Sequence, residues 1–172
     1  MYLSKLGIRN FRNFEAADIP LAGNVVLLGE NRVGKSNLLF AIRLVIDPTL
    51  PDSARQLKLS DFWDGCDFES NPQIEVYLEF ADFDSAPSLS ALLTDFRIAE
   101  APTVARLSYI FRKKEEVDGV PRSSEGCEFI VFGGGQESRT IPGRVRHRIS
   151  IDMLDALRDA EAQLASLTCP QY

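Results

Sequence analysis

Residues Gly29 to Ser36 read GENRVGKS and place two glycines, a lysine and a hydroxyl at the spacing G-x-x-x-x-G-K-[ST]. Each type has a job in holding phosphate. Gly29 and Gly34 let the backbone curl so that successive N–H groups converge on phosphate oxygens, with Glu30, Asn31, Arg32 and Val33 supplying the arc between them. Lys35 offers a point charge to the β- and γ-phosphates, and the Ser36 hydroxyl offers an oxygen to Mg²⁺. A helix beginning at Lys35 adds the positive end of its dipole. The chemistry these residues predict is the binding of ATP with Mg²⁺.

Such a loop works only between a strand and a helix, and the flanking residues have that pattern. Asn24 to Leu28 (NVVLL) reads as a short buried parallel strand. Lys35 to Ile46 has helical spacing, with Leu38, Leu39, Ile42 and Ile46 on one face, and Pro48 and Pro51 prevent its continuation. Before the loop, residues 2–10 and 15–21 read as two strands joined by a polar turn at Asn10 to Asn13. After it, residues 49–71 read as loop with a short helical turn. Gln73 to Phe80 alternates cleanly, with Ile74, Val76, Leu78 and Phe80 on one face. Leu89, Leu92, Leu93 and Phe96 mark a short helix. Residues 103–133 read as a long hairpin, two strands joined by the polar EEVDGVPRSSEG. A flexible loop is expected at Gly133 to Gly135, then a strand over residues 145–151 and a helix over about 152–167. The apolar stripe of that helix either docks on the sheet or continues into a further segment.

With 172 residues, 45% of them apolar and 26% charged, the chain has the proportions of one globular domain. A net charge of −6 gives no global signature of nucleic-acid binding, so any DNA contact needs a local basic surface. The densest candidate is RVRHR, Arg144 to Arg148, with Arg139 nearby; it contains His147, the chain's one histidine, which reads as a strand or loop residue on a solvated face. Cys66, Cys127 and Cys169 match neither a disulfide framework nor a zinc site. The N-terminal stretch has no signal-peptide core, and no apolar run is long enough to span a membrane. The expectation is a reduced, cytoplasmic protein.

The stretches LGIRNFRNFEAADIPL and NVVLLGENRVGKSNLLFAIRLVI resemble the N-terminal lobe of SMC/RecF-type ABC ATPases, and within that branch the overcoming-lysogenization-defect (OLD) family of ATP-dependent nucleases. IRNFRNF, Asn31 and GKSNLLFAIRLVID carry the likeness most specifically; LSDFWDG, IEVYLEFADF and DALRDAEAQL extend it weakly. The resemblance implies an α/β fold, a P-loop NTPase of ABC/SMC type whose N-terminal lobe sets an antiparallel β-layer against the phosphate-loop strand and helix. It implies ATP held between two ATPase heads, as in a homodimer, and a Toprim nuclease domain that cuts DNA. It places Asn31, Arg32, Gly34, Lys35, Ser36 and Asn37 around the phosphates, and Arg12 beside the nucleotide. A solvated turn is the competing reading of Arg12 and Asn13.

Against that pattern, no strand ends in Asp-Glu, no signature serine motif stands out, and none of Gln73, Gln136 and Gln163 fits the glutamine lever. Residues 1–172 are therefore expected to form one incomplete N-terminal lobe lacking the second ATPase lobe and the Toprim domain. It should bind ATP but turn over little ATP and cut no DNA alone, its partner being the missing C-terminal ATPase lobe. The alternatives are a stand-alone ATP-binding regulatory module and a small P-loop kinase.

Overall fold

The computed structural model describes residues 1–23, 25–30 and 33–149. Its frame is an antiparallel sheet in which β1 (Tyr2–Phe11) pairs with β2 (Phe14–Pro20) and β3 (Ile74–Ala81). Beyond β3 the order runs through β5 (Ala101–Lys113), β6 (Cys127–Gly133) and β7 (Gln136–Thr140), with the short β4 (Arg97–Ile98) paired to β5. The helices are α1 (Lys35–Ile46), α2 (Asp52–Arg55), α3 (Pro87–Leu93) and α4 (Gly143–Arg148). None of the described helices is long and apolar enough to cross a membrane.

The two-residue period of the strands explains why the sheet has one dry face. Register aligns Leu6 with Leu78 and Leu107, and Ile8 with Val76 and Tyr109, so the fully buried side chains of three strands share one surface. Helix α1 covers that surface with Leu38, Ala41, Ile42, Leu44, Val45 and Ile46, while Leu39 stays half-buried. The far end of α1 is fixed by a buried guanidinium. Arg55 donates to the carbonyls of Leu44, Asp47 and Leu50, placing a cation where the helix dipole is negative. The Tyr109 hydroxyl closes this arrangement by donating to the Arg55 carbonyl at 2.5 Å.

The opposite face is a charged lattice. Asp18 accepts from Arg9 at 2.6 Å and from the Tyr77 hydroxyl, with Lys5 at 3.4 Å. Arg106 pairs with Glu79 at 2.6 Å, and Arg112 bridges Glu128 and Glu137. The Tyr77 ring lies across Gly7 so closely that a Cβ there would come within 2.0 Å of it.

Three expectations change. Val25 to Leu28 form no strand and are exposed, Val26 at 77% and Leu28 at 88%. Strand pairing needs a neighbour, and none of the described strands pairs with this run. The polar stretch after the glycines is strand β7: Gly134 and Gly135, at φ 66° and 71°, make the two-residue turn a tight hairpin requires, so this is no flexible loop. Residues 143–148 are helix, not strand, so His147 is a helical residue, though exposed as expected. Val145 and Ile149 are buried while His147 between them is exposed, which fits the helical period and not the alternation of a strand. The expected helix at 152–167 lies outside the described residues.

Two outcomes follow. Gly7→Ala should destabilise the chain by about 1–3 kcal/mol in urea unfolding, because the Tyr77 ring must leave its seat. The Tyr77 hydroxyl, then Arg9, hold the Asp18 carboxyl at a pKa of about 2, below the ordinary 3.8. A depressed carboxylate stabilises the fold above its unfolded pKa, so this contribution should be complete above about pH 4 and lost as pH falls toward 2. Asp18→Asn should flatten the pH dependence of the unfolding midpoint in that window.

Candidate nucleotide site

The site is built around the first turn of α1. Its N-cap is Gly34 at φ 102°; the first turn holds no acidic residue and, among the described residues, no side chain caps it. The first amides of a helix have no partner within it, so this end presents donors and positive potential to whatever lies in front. Lys35 folds back over the loop and its ammonium donates to the carbonyls of Gly29 and Glu30, both at 2.6 Å. Ser36 is exposed beside it on the same turn. Asn31 and Arg32 lie outside the described residues, while Val33 is exposed next to Gly34.

These residues fit a nucleotide phosphate. The glycine cradle cannot accept a side chain, since a Cβ on Gly34 would stand 2.2 Å from the Asn13 amide nitrogen. The donor set is a primary ammonium, a hydroxyl and helix-start amides, which is the chemistry of phosphate and of a hard cation bound to it.

Arg12 sits at the turn between β1 and β2 with φ 50°, a left-handed conformation that costs a non-glycine residue about 1 kcal/mol or more. Its surroundings impose it. The Arg12 N–H donates to the Asp61 carbonyl at 2.8 Å and its Nε to the Asp61 carboxylate at 2.8 Å. The guanidinium lies about 5 Å from the rings of Phe11 and Phe40. A terminal nitrogen of Arg12 donates to Asn37 Oδ1 at 2.7 Å; Asn37 Nδ2 donates to Asn13 Oδ1 at 2.8 Å; Asn13 Nδ2 donates to the Val33 carbonyl at 3.2 Å. Arg12, half-buried, and Asn13, exposed, form a turn that also links the sheet to the loop. Sequence reasoning missed Asp61, which lies in an irregular stretch; its one signal was the weak likeness carried by LSDFWDG.

Loop, helix and antiparallel layer together define a P-loop ATPase lobe of the ABC/SMC type. The chain belongs to the AAA ATPase domain family, which it matches over residues 1–122. Parts of it are similar to proteins of the OLD and RecF kinds. The OLD nuclease of Thermus scotoductus is 33% identical over 78 residues, 45% of this chain and 14% of that protein. Endonuclease GajA of Bacillus cereus is 45% identical over 47 residues, 27% of this chain and 8% of that protein. The DNA replication and repair protein RecF of a Geobacillus species is 46% identical over 43 residues, 24% of this chain and 12% of that protein. The matched stretches thus span only a small part of these relatives. The fold is shared with a solved structure from work on ATP-driven dimerization and DNA-stimulated activation of SMC ATPases, at TM-score 0.50 and 22% identity, covering 99% of this chain and 93% of that one.

Gly34→Ala should drive the Asn13 amide off both Val33 and Asn37 while straining the backbone at φ 102°. A loss of about 1–3 kcal/mol in urea unfolding, with weakened ATP binding in titration calorimetry, is the expected result.

Proposed function

We propose that this chain is the ATP- and Mg²⁺-binding N-terminal lobe of an OLD-like DNA-processing ATPase, holding half of a nucleotide site. The observation that carries this is the start of α1, where Gly34, Lys35 and Ser36 turn an uncapped helix end toward the loop formed by Gly29 and Glu30. Lys35 would hold the β- and γ-phosphates by charge-assisted hydrogen bonds, and Ser36 would supply its hydroxyl to the cation. When bound, Mg²⁺ neutralises charge on the phosphate oxygens. Gly29, Glu30 and Val33 line the cradle, Asn31 and Arg32 would contribute through their positions in the motif, Asn37 orients its rim, and Arg12 adds positive charge at the edge of the β-layer.

The other half is assigned to a C-terminal ATPase lobe. Val25 to Leu28 support this, being an exposed aliphatic run directly before the phosphate loop that pairs with no strand among the described residues. A water-polarising carboxylate and groups acting across a head-to-head ATP sandwich would come from there, and DNA is a partner of the larger protein. On this reading the chain binds nucleotide and hydrolyses it negligibly by itself, because positioning phosphate is not enough without a base for water.

Calorimetry of the purified chain with Mg·ATP tests this. Wild type should bind, and Lys35→Ala should weaken binding by roughly 10- to 100-fold, the worth of lost charge-assisted hydrogen bonds. Turnover should rise when the C-terminal lobe is supplied separately. Vigorous hydrolysis by the chain alone, abolished in Lys35→Ala, would show the site to be whole.

A further inference from the structure

We propose that Asp61 is a positioning residue for the nucleotide site, acting through Arg12, Asn37 and Asn13 on the backbone of the phosphate loop; this rests on reading that loop as a nucleotide site. Asp61 belongs to a short turn, Leu59–Asp61, far in sequence from the loop. Both carboxylate oxygens are engaged: Oδ2 accepts the Lys58 N–H at 2.9 Å, and Oδ1 accepts Arg12 Nε at 2.8 Å. The segment is fastened to the end of β1 by main-chain bonds on either side, Arg12 N–H to the Asp61 carbonyl and Trp63 N–H to the Asn10 carbonyl. The carboxylate therefore has a fixed position from which to aim the guanidinium.

What passes outward from Arg12 is direction. A guanidinium only donates, so its contact at 2.7 Å requires Asn37 to present Oδ1. Asn37 must then turn its NH₂ outward, and it donates to Asn13 Oδ1. Asn13 in turn must present its own NH₂, which meets the Val33 carbonyl. The orientation of each amide is determined by its predecessor. The last acceptor is the carbonyl of the peptide whose N–H belongs to Gly34, the residue on which the loop turns into the helix. Remove the carboxylate and only the Phe11 and Phe40 rings and Asn37 hold the guanidinium, which can then swing off Asn37; both amides are free to reverse and the Val33–Gly34 peptide loses its tether. The ligand affected is a nucleoside triphosphate.

The test uses the 172-residue chain, ¹⁵N-labelled, as wild type, Asp61→Ala, Asp61→Asn and Lys35→Ala. In Asp61→Ala the side-chain NH₂ resonances of Asn37 and Asn13 and the Val33 and Gly34 amides should all shift, although none of them touches Asp61. Mg·ATP affinity should fall about tenfold. Asp61→Asn keeps an oxygen for one donor and all the main-chain links; it should fold like wild type and show a smaller change in the same resonances. That variant carries the test if Asp61→Ala does not fold. Shifts confined to residues 58–63 and Arg12, or unchanged ATP affinity in a variant whose wild type binds, would overturn the relay. A wild type indistinguishable from Lys35→Ala in ATP binding would instead overturn the reading of the loop.

Discussion

The first turn of α1 leaves backbone amides that the helix cannot satisfy, and the lobe is arranged around that deficit. In most helices a serine, threonine or aspartate meets one of them. Here the N-cap is a glycine in a left-handed conformation, and the nearest side chains, Lys35 and Ser36, cannot serve as cap for their own turn. The helix must be held in place by other means. Its apolar face packs on the inner surface of the sheet, its C-terminal carbonyls receive Arg55, and its Asn37 is tied to the β1–β2 turn. An anchored helix can afford an unsatisfied end, which is what an anion site needs.

The sheet serves the same purpose through its asymmetry. One face is a continuous aliphatic and aromatic surface, so α1 has one seat and one rotation about its axis. The other carries charges paired across strands, Asp18 with Lys5 and Arg9, Glu79 with Arg106, Glu128 with Arg112. A one-residue slip in register would exchange these faces, placing Arg9 or Glu79 under the helix. Pairing that excludes such slips is how a distant strand fixes the position of Gly34.

Much of this was legible in the residues themselves. Lys35–Ile46 announced itself by apolar spacing and by Pro48, and β3 by the strict alternation of Ile74, Val76, Leu78 and Phe80. Local pattern failed where the deciding fact was not local. Val25 to Leu28 have every mark of a buried strand, but burial depends on a neighbour that residue type cannot supply. Gln136–Thr140 is a strand because Gly134-Gly135 folds it back, although all five residues are exposed and show no apolar alternation. Val145 and Ile149 suit either period, and the exposure of His147 between them decides for helix. Asp61 was hidden for a different reason. A carboxylate in a loop is ordinary until the chain brings Arg12 within 2.8 Å of it, 49 residues away.

The lysine that folds back over its own loop has an energetic meaning for selectivity. Lys35 already satisfies two of its three protons on the Gly29 and Glu30 carbonyls. An arriving anion therefore exchanges acceptors with the loop instead of meeting a bare ammonium. A monovalent ion such as chloride, with a single diffuse charge, gains little from that exchange. A polyphosphate, offering several charged oxygens to the lysine and the helix amides together, gains at every position. On the proposed reading of the loop, the self-contact would set a threshold that favours polyphosphate over small anions before shape or base recognition has any part.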